Sequence, residues 1–304
     1  MHKALVRRTL VALLAIPLMF TAACGGGGGK VVIVGQKFTE ADIMTQLYKA
    51  VLDDAGYDTS VKNLGARDIY LSPLSKGDVT VSADYLSSMT EALNRKANGD
   101  SAAPVASPDA AATLKELNKL AAKDGLTALE PAKAEDANAF AVTKKFADDN
   151  SLKTLSDLGA SGLSVKLGGN SDCPQRADCQ KGLEDKYGVK VSGFEPTGFG
   201  SQATKDDLVK GVTQIGSVGT TDATLEKLGL VILSDDKSLQ NAENLVPIVN
   251  SKWLKDNDKA RKALDKLSAV LTTADLTAMI GKVDLDRQKP ADVAKAYLKD
   301  KGLI

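Results

Sequence analysis

The chain has 304 residues with 39 basic and 39 acidic side chains, so no surplus of positive charge points to nucleic acid as a partner. Its only histidine is His2, which excludes Ser-His-Asp and Cys-His catalysis and histidine-ligated zinc from the rest of the chain. Of the three cysteines, Cys173 and Cys179 lie in one short segment that offers too few ligands for a metal site.

The first 23 residues have the layout of a secretory signal. Lys3, Arg7 and Arg8 give a positive start, residues 10–20 are apolar, and small residues follow. The apolar run is shorter than the about 20 residues that a membrane-spanning helix needs. Cleavage after residue 23 removes three of the 39 basic residues. The remaining 281 residues then carry a net charge of about −3 and have a length typical of two domains.

Cys24 directly follows these small residues, and the arrangement resembles the lipobox of bacterial lipoproteins. The thiol of Cys24 would then carry a lipid that anchors the protein to the cell membrane on its extracytoplasmic side. Thr21 stands where the lipobox usually has leucine, so an ordinary signal peptide with a spare cysteine remains the alternative. The five glycines at 25–29 favour lipidation, because a glycine run forms a flexible tether.

In the N-terminal part, short apolar runs alternate with segments of helical periodicity. Strands are predicted at 31–35, 57–65 and 78–85, and helices at 39–56 and 67–76. Strand and helix alternating at this spacing predict an α/β fold with a parallel sheet.

A second α/β pattern follows a loop at 98–110, a helix at 109–124 and an extended crossing that contains Pro131. The stretch LGASGLSVKLGG, residues 158–169, predicts a turn and then a strand. Further strands are predicted within 139–143, 189–201, 213–222, 230–236 and 244–250, and helices at 178–187, 202–210, 256–270, 273–280 and 290–300. The glycines at 168–169 lack the residues of a phosphate-binding loop, so we expect no nucleotide and no other cofactor.

The polar segment NSDCPQRADCQKG, residues 170–182, places Arg176 between Cys173 and Cys179. Its composition predicts a surface loop rather than core. Two cysteines this close in an exported protein are expected to form a disulfide. The bridge, together with Pro174, would restrict the loop, and a restrained arginine loses less entropy when it binds an anion. A bridge that only protects an exported loop is the alternative.

Six stretches in order along the chain carry a family resemblance. They are VVIVGQKFTEADIMTQLYKAVLDDAGYDTSVKNLG, ADYLSSMTEAL, ANAFAV, CPQRADCQKGLEDKYG, GTTDATLEKLGLVILSDDK and the C-terminal LTTADLTAMIGKVDLDRQKPADVAKAYLKDKGLI. In this order and spacing the chain resembles the glycine betaine/choline/proline-type (osmoprotectant) substrate-binding lipoproteins of ABC importers. The resemblance covers essentially the whole mature chain.

The resemblance implies a two-domain clamshell of the type II periplasmic-binding-protein class, in which each domain is a mixed, mostly parallel sheet flanked by helices. Domain I would comprise residues 30–136 and 241–304, and domain II residues 137–240, with 24–29 as the lipidated tether. Ligand would bind in the cleft, and hinge closure would be sensed by the permease and ATPase subunits.

The resemblance also implies site residues. The family binds methylated cations with an aromatic cage and holds carboxylates with an arginine and small donors. Cage positions fall on Tyr85 and Phe140, the arginine on Arg176, a threonine on Ser88 and a lysine on Gln36. Six further residues fit binding and structural roles about equally well, Thr39 also as a helix N-cap. They are Phe38, Thr39, Arg67, Tyr70, Thr220 and Thr221.

Two cage positions depart from the family pattern, because Gly219 and Glu243 stand where aromatic rings are usual. Each ring buries about 150–250 Å², so their loss predicts a wider pocket with one open wall. Glu243 would partly replace the cage as a counter-charge. We therefore expect weak binding of glycine betaine and choline, and a bulkier zwitterionic or polar ligand that fills the space over Gly219.

The sequence thus predicts an extracytoplasmic receptor that captures a small zwitterionic or quaternary-ammonium-type solute for an ABC importer. An enzyme on the same scaffold is disfavoured by the missing histidines. A lipid-anchored sensor or surface protein without transport is the alternative that the sequence leaves open.

Overall fold

The computed structural model describes residues 30–304. The predicted signal segment, Cys24 and the glycine run at 25–29 lie outside the described residues. Between residues 30 and 304, no helix is long and apolar enough to cross a membrane.

The described part of the chain forms two five-stranded sheets. The strands are β1 (Val31–Gly35), β2 (Thr59–Asn63), β3 (Val81–Tyr85), β4 (Leu126–Ala128), β5 (Asn138–Thr143), β6 (Ser164–Gly168), β7 (Lys190–Glu195), β8 (Ile215–Gly219), β9 (Leu230–Leu233) and β10 (Leu245–Asn250). The first sheet has the order β2-β1-β3-β10-β4 and the second β7-β6-β8-β5-β9.

In each sheet one strand runs against the other four. β10 is antiparallel to its neighbours β3 and β4, and β5 is antiparallel to β8 and β9. Each of these reversed strands is the first to follow a passage of the chain from one sheet to the other. The predicted mixed, mostly parallel sheets are therefore confirmed.

Helices cover both sheets. They are α1 (Thr39–Asp54), α2 (Arg67–Lys76), α3 (Leu86–Asn98), α4 (Ala110–Lys123), α5 (Lys144–Asp149), α6 (Leu155–Ser161), α7 (Gln180–Tyr187), α8 (Gln202–Val209), α9 (Ser251–Leu254), α10 (Asp258–Val270), α11 (Thr273–Asp284) and α12 (Pro290–Asp300). We call the first sheet with α1–α4 and α9–α12 the first lobe, and the second sheet with α5–α8 the second lobe.

The first lobe has a hydrophobic core on each face of its sheet. On one face α1 packs with α10, α11 and α12 through buried residues such as Leu47, Leu264 and Leu298. On the other face α2, α3 and α4 contribute a second cluster that includes Leu74, Met89 and Leu117. The C-terminal helices thus complete a core that begins with β1, so the two ends of the described chain fold together.

The chain passes between the lobes twice, at 129–137 and at 234–244. The two passages lie side by side: Glu135 pairs with Asn244 in an isolated antiparallel bridge. The backbone N–H of Asp136 donates to the backbone carbonyl of Glu243 at 3.0 Å. The carboxyl ends of β1 and β3 point to this junction, which is where open α/β sheets bind ligands.

Four helices, α3, α5, α6 and α9, lie outside the sequence-based prediction, and one predicted turn is wrong. α3 starts directly after β3 with no turn residue between them, so no punctuation in the sequence separates the two elements. α6 ends at Ser161, within the stretch predicted as a turn before β6. Its start carries a capping box, in which Thr154 and Asp157 each bond the other's backbone, and this T-x-x-D signal was available in the sequence.

The interpretation of segment 170–182 as wholly surface loop is also wrong. Cys173 and Cys179 are buried in the core of the second lobe, and the sulfur atoms lie 2.07 Å apart. Arg176, between them, keeps its side chain partly exposed. Although the segment is polar on average, its two cysteines point into the core and pack in one cluster with strand residues such as Leu167.

Two helical glycines give a matched test of this packing. A Cβ at Gly159 in α6 would lie 1.8 Å from the carbonyl oxygen of Tyr187, at the end of α7, whereas one at Gly281 in α11 meets only Ala223 Cβ at 3.4 Å. Gly159→Ala should therefore lower the free energy of unfolding by about 2 kcal/mol or more, because the backbones must separate. Gly281→Ala should be neutral or stabilising by up to about 1 kcal/mol. Equal effects in urea unfolding would contradict the close α6–α7 approach.

Candidate functional site: a cleft between the lobes

A cavity of about 470 Å³ lies where the two passages meet, and both lobes contribute to its walls. The lining residues are Gln36, Phe38, Arg67, Tyr85, Ser88, Asp136, Asn138, Asp178, Leu239, Gln240, Asn241 and Glu243. Gln36 and Phe38 follow β1, Tyr85 ends β3, and Asn138 begins β5. Six of the twelve residues predicted for the site, Gln36, Phe38, Arg67, Tyr85, Ser88 and Glu243, therefore face one cavity.

One wall of the cavity is aromatic. The rings of Phe38 and Tyr85 stack with centroids 6.4 Å apart and an interplanar angle of 18°. Phe38 is 41% exposed, whereas Tyr85 is 8% exposed. Phe38 therefore presents an open ring to the cleft, and Tyr85 supports it from the end of the strand.

Two acids lie together beside the cavity, the buried Glu40 and the half-buried Asp136, of which Asp136 lines the cavity. The Tyr85 hydroxyl donates to Glu40 Oε1 at 2.5 Å, and the Thr221 hydroxyl donates to Asp136 Oδ1 at 2.9 Å. Glu40 is 4% exposed, and its Oε2 atom has no hydrogen-bond partner among the described residues. Burial and the neighbouring Asp136 carboxylate raise the pKa of Glu40 to about 7, and burial raises the pKa of Asp136.

A third carboxylate, that of Glu243, is held by neutral donors. The backbone N–H and the hydroxyl of Ser88 donate to its two oxygens at 3.1 and 2.7 Å. Burial raises the pKa of Glu243, while these hydrogen bonds and the charge of Arg67 oppose the rise. Glu243, which stands where the family usually has an aromatic residue, is thus an acid held in place by Ser88 at the start of α3.

The two arginines at the site already have carboxylate partners. Arg67 makes a bidentate pair with Asp84, with Nε and Nη2 at 2.9 and 2.6 Å from Oδ1, and Tyr70 donates to the same carboxylate at 2.7 Å. Arg176 makes a bidentate pair with Asp178 at 2.9 and 2.5 Å, which lowers the pKa of Asp178. Asp178 itself lines the cavity, so Arg176 stands just behind it.

Phe199 lies next to the position where Gly219 replaces an aromatic residue. A Cβ at Gly219 would lie 3.9 Å from Phe199 Cζ and 3.3 Å from Asp136 Oδ1. Phe199 is 41% exposed and borders a narrow recess together with Arg176 and Asp178. The space over Gly219 is therefore bounded by a ring from another segment, which differs from the open wall expected from the sequence.

Glycines fix the backbone of Phe199. Gly198 and Gly200 adopt positive φ angles of 96° and 55°, a region that glycine enters without penalty. The Phe199 N–H donates to Asn170 Oδ1, and the Gly200 N–H to the carbonyl of Ser217, each at 2.9 Å. The G-F-G pattern was the available sequence signal for this ring.

Phe140 lies in the core of the second lobe and not in the cleft cavity. It is opposite Ser217 on β8 and Leu233 on β9, and only 2% of it is exposed. Phe140 also borders the narrow recess next to Arg176 and Phe199, so its cage role stays a prediction. Asn138, two residues earlier on the same face of β5, lies at the passage and lines the cavity.

Four other predicted residues support the site from outside the cavity. Thr39 is the first residue of α1 and not its N-cap, and its hydroxyl donates to Asp284 of α11 at 2.7 Å. Thr220 accepts from the N–H of Ala137 and donates to the carbonyl of Glu135, so it ties β8 to the first passage. Tyr70 and Thr221 act on Asp84 and Asp136, as described above.

Several residues at the site were not predicted from the sequence: Glu40, Asp136, Asn138, Asp178, Phe199, Leu239, Gln240 and Asn241. Half of them, Asp136, Leu239, Gln240 and Asn241, lie in the two passages between the lobes. Between residues 30 and 304, no group of three or more His, Cys, Asp or Glu side chains could hold a metal ion.

The buried Glu40 gives a pH-dependent prediction. Its pKa rises on folding from 4.5 to about 7, so the charged form costs folding energy increasingly as the pH rises through this range. Glu40→Gln should raise the free energy of unfolding above wild type by about 1–3 kcal/mol at pH 8, with a smaller gain towards pH 5. Urea unfolding at pH 5, 6, 7 and 8 measures this. A difference that stays constant across the series would contradict the burial of an ionisable Glu40.

Comparison with known proteins points to one family. Residues 29–300 match the family described as the substrate binding domain of ABC-type glycine betaine transport systems. A glycine-betaine-binding protein of Pseudomonas aeruginosa is 22% identical over 281 residues, which cover 90% of this chain and 88% of that protein. An ergothioneine transport permease/ergothioneine binding protein of Helicobacter pylori is 25% identical over 164 residues, 54% of this chain and 29% of that protein.

The fold has close parallels among solved structures. The apo form of YehZ from Escherichia coli superposes with a TM-score of 0.78 at 23% identity, covering 91% of this chain and 100% of that one. This likeness confirms the predicted two-domain clamshell of the type II periplasmic-binding-protein class. Since the family match spans residues 29–300, the chain belongs to the substrate-binding domains of ABC-type glycine betaine transport systems.

Proposed function

We propose that the protein is an extracytoplasmic receptor that captures a small zwitterionic or quaternary-ammonium-type solute in the cleft and delivers it to the permease and ATPase subunits of an ABC importer. The observation that carries this proposal is the 470 Å³ cavity at the junction of the two lobes. Residues 30–136 with 241–304, and residues 137–240, serve as the two domains. The distribution of the strands between the two sheets supports this division.

In this proposal the first lobe offers a preformed half-site and the second lobe closes over it. Phe38 and Tyr85 contact the apolar part of the ligand, and Ser88, Gln36 and Glu243 its polar part. Arg176 transfers from Asp178 to a carboxylate of the ligand when the lobes approach, since a bidentate arginine–carboxylate pair can be exchanged for an equivalent one. Hinge closure of this kind is the signal that a transporter reads.

We also propose a disulfide between Cys173 and Cys179. The two Cα atoms lie 5.2 Å apart, a spacing that a disulfide can bridge, and the export signal in the sequence also supports it. The bridge ties the short 3₁₀ turn Cys173–Gln175 to the start of α7, with Arg176 between them. Arg176 is thereby presented from a closed ring, which reduces the entropy it loses on binding an anion.

The receptor function predicts ligand-driven closure that depends on Arg176. Calorimetry against glycine betaine, choline, carnitine, ergothioneine and proline should give at least one saturable ligand, and the same ligand should reduce the radius of gyration in X-ray scattering. For a ligand with a carboxylate, Arg176→Ala should weaken binding by about 2 kcal/mol, the order of one charge-assisted contact.

Lys144→Ala is the matched control. This variant also loses an ion pair of the second lobe, that with Asp148, but the pair lies on the exposed surface. Its binding constant should equal that of wild type. Tight binding without contraction, or equal losses in both variants, would contradict this closing role of Arg176.

The lipid anchor is a separate proposal, supported by the small residues and glycine run that flank Cys24 in the sequence. Protein purified from its own membranes should begin at Cys24 with acyl chains attached, and Cys24→Ala should release it into the soluble fraction. Intact mass spectrometry measures this. An unmodified Cys24 thiol in membrane-derived protein would refute the anchor.

A further inference from the structure

The charges around the cleft do not balance. Arg67 is matched by Asp84 and Arg176 by Asp178, so the two cations at the site are already neutralised. Asp136 and Glu243 also line the cavity, but the side-chain and N–H donors that they accept from, Thr221 and Ser88, are uncharged.

The same region holds an unused buried acceptor. Glu40 is only 4% exposed, and its Oε2 atom has no hydrogen-bond partner among the described residues. Glu40 interacts electrostatically with Asp136, and its Oε1 atom accepts a hydrogen bond from the Tyr85 hydroxyl. Asp136 and Tyr85 both line the cavity. The cleft wall thus carries two carboxylates, Asp136 and Glu243, without a cationic partner among the described residues, and the buried Glu40 lies behind Asp136.

Hydrogen-bonding capacity decides which cation suits such a wall. A quaternary ammonium has no N–H group, so its methyl groups would displace water from Asp136 and Glu243 and leave the acceptor sites that Thr221 and Ser88 do not fill without donors. An ammonium that retains an N–H satisfies one of these oxygens through a charge-assisted hydrogen bond. Of the described residues that line this cavity, Phe38 and Tyr85 carry rings, and these stack on each other along one wall. Phe199 borders the neighbouring recess, so the rings on the cavity cover one side of a cation and do not enclose it.

We propose that the cleft selects a cation that carries N–H donors, such as a tertiary, secondary or primary ammonium or a guanidinium, with Asp136 and Glu243 as its acceptors. Phe38 packs on the apolar side of the same group. This inference rests on the proposed receptor function and names the ligand class of that site.

Pairs of ligands that differ by one N-methyl group test the inference. The pairs are choline with N,N-dimethylethanolamine, glycine betaine with N,N-dimethylglycine, and carnitine with norcarnitine, each titrated calorimetrically into wild-type protein at pH 7. In every pair that binds, the tertiary member should bind at least tenfold more tightly than the quaternary member. Arginine and agmatine extend the series to guanidinium.

Asp136→Asn and Glu243→Gln should reduce the tertiary-to-quaternary ratio towards one. Both substitutions keep an oxygen that can accept from Thr221 or Ser88, and thermal unfolding shows whether each variant is folded. Asp148→Asn, which removes an exposed carboxylate on α5 of the second lobe, is the control and should leave the ratio unchanged.

The outcomes separate this inference from the receptor function. Equal or tighter binding of the quaternary members would overturn the inference and leave the receptor function intact. Failure of all eight compounds to bind would also overturn it, while the wider solute panel and the scattering measurement would still decide the receptor function. A ratio that survives in both acid variants would show that Asp136 and Glu243 are not the acceptors.

Discussion

The backbone hydrogen bond between Asp136 and Glu243 joins the two passages of the chain, and the site is built around it. Adjacent extended segments must present neighbouring side chains, so this pairing brings two carboxylates into one cavity from positions more than 100 residues apart. The passages are also the covalent connections between the lobes. The proposed ligand contacts at Asp136 and Glu243 would therefore lie at the point about which the lobes can move, which would couple binding to closure more directly than contacts at the rim.

The two sides of the cleft differ in how firmly their side chains are held. On the first lobe, Asp84 fixes Arg67 and Tyr70, Ser88 fixes Glu243, and Tyr85 is bonded to Glu40. This side needs little ordering when a ligand arrives, and such preorganisation reduces the entropic cost of binding. On the second lobe, Arg176 is also held, by its pair with Asp178, but it is 37% exposed and must exchange this partner in the proposed mechanism. The first lobe thus sets the shape of the site, and the second lobe completes it.

The architecture could be predicted from the sequence because strand–helix alternation depends on local periodicity. The C-terminal helices illustrate this, since their apolar spacing and the capping box at Thr272 are encoded within a few residues. The site could be predicted only in part. Tyr85 and Glu243 were found because they follow strands or occupy family positions. The burial of Phe140 was not foreseen, because strand alternation does not show where a strand leaves the hinge and enters the core.

Contacts between residues distant in sequence could not be predicted from local patterns. Nothing local in the sequence places Phe199 beside Gly219, since the contact depends on how β8 pairs within the sheet and on two glycine backbone angles. The acid pair of Glu40 and Asp136 likewise arises only when α1 meets the first passage. Residue identity indicated charge and aromaticity, but the balance of charge in the cleft required the three-dimensional arrangement.

The pairing of Arg176 with Asp178 has a consequence for selectivity in a mixed environment. In the proposed receptor, where Arg176 binds the anionic group of the ligand, Asp178 occupies Arg176 before the ligand arrives. A free chloride, phosphate or acetate would then compete with a tethered carboxylate at high local concentration. A small anion gains nothing else from the exchange and is rejected. A solute that also contacts the first lobe gains those contacts as well, so only it can displace Asp178. The ion pair would thus let Arg176 bind ligands that also contact the first lobe and disfavour its binding to free anions in solution.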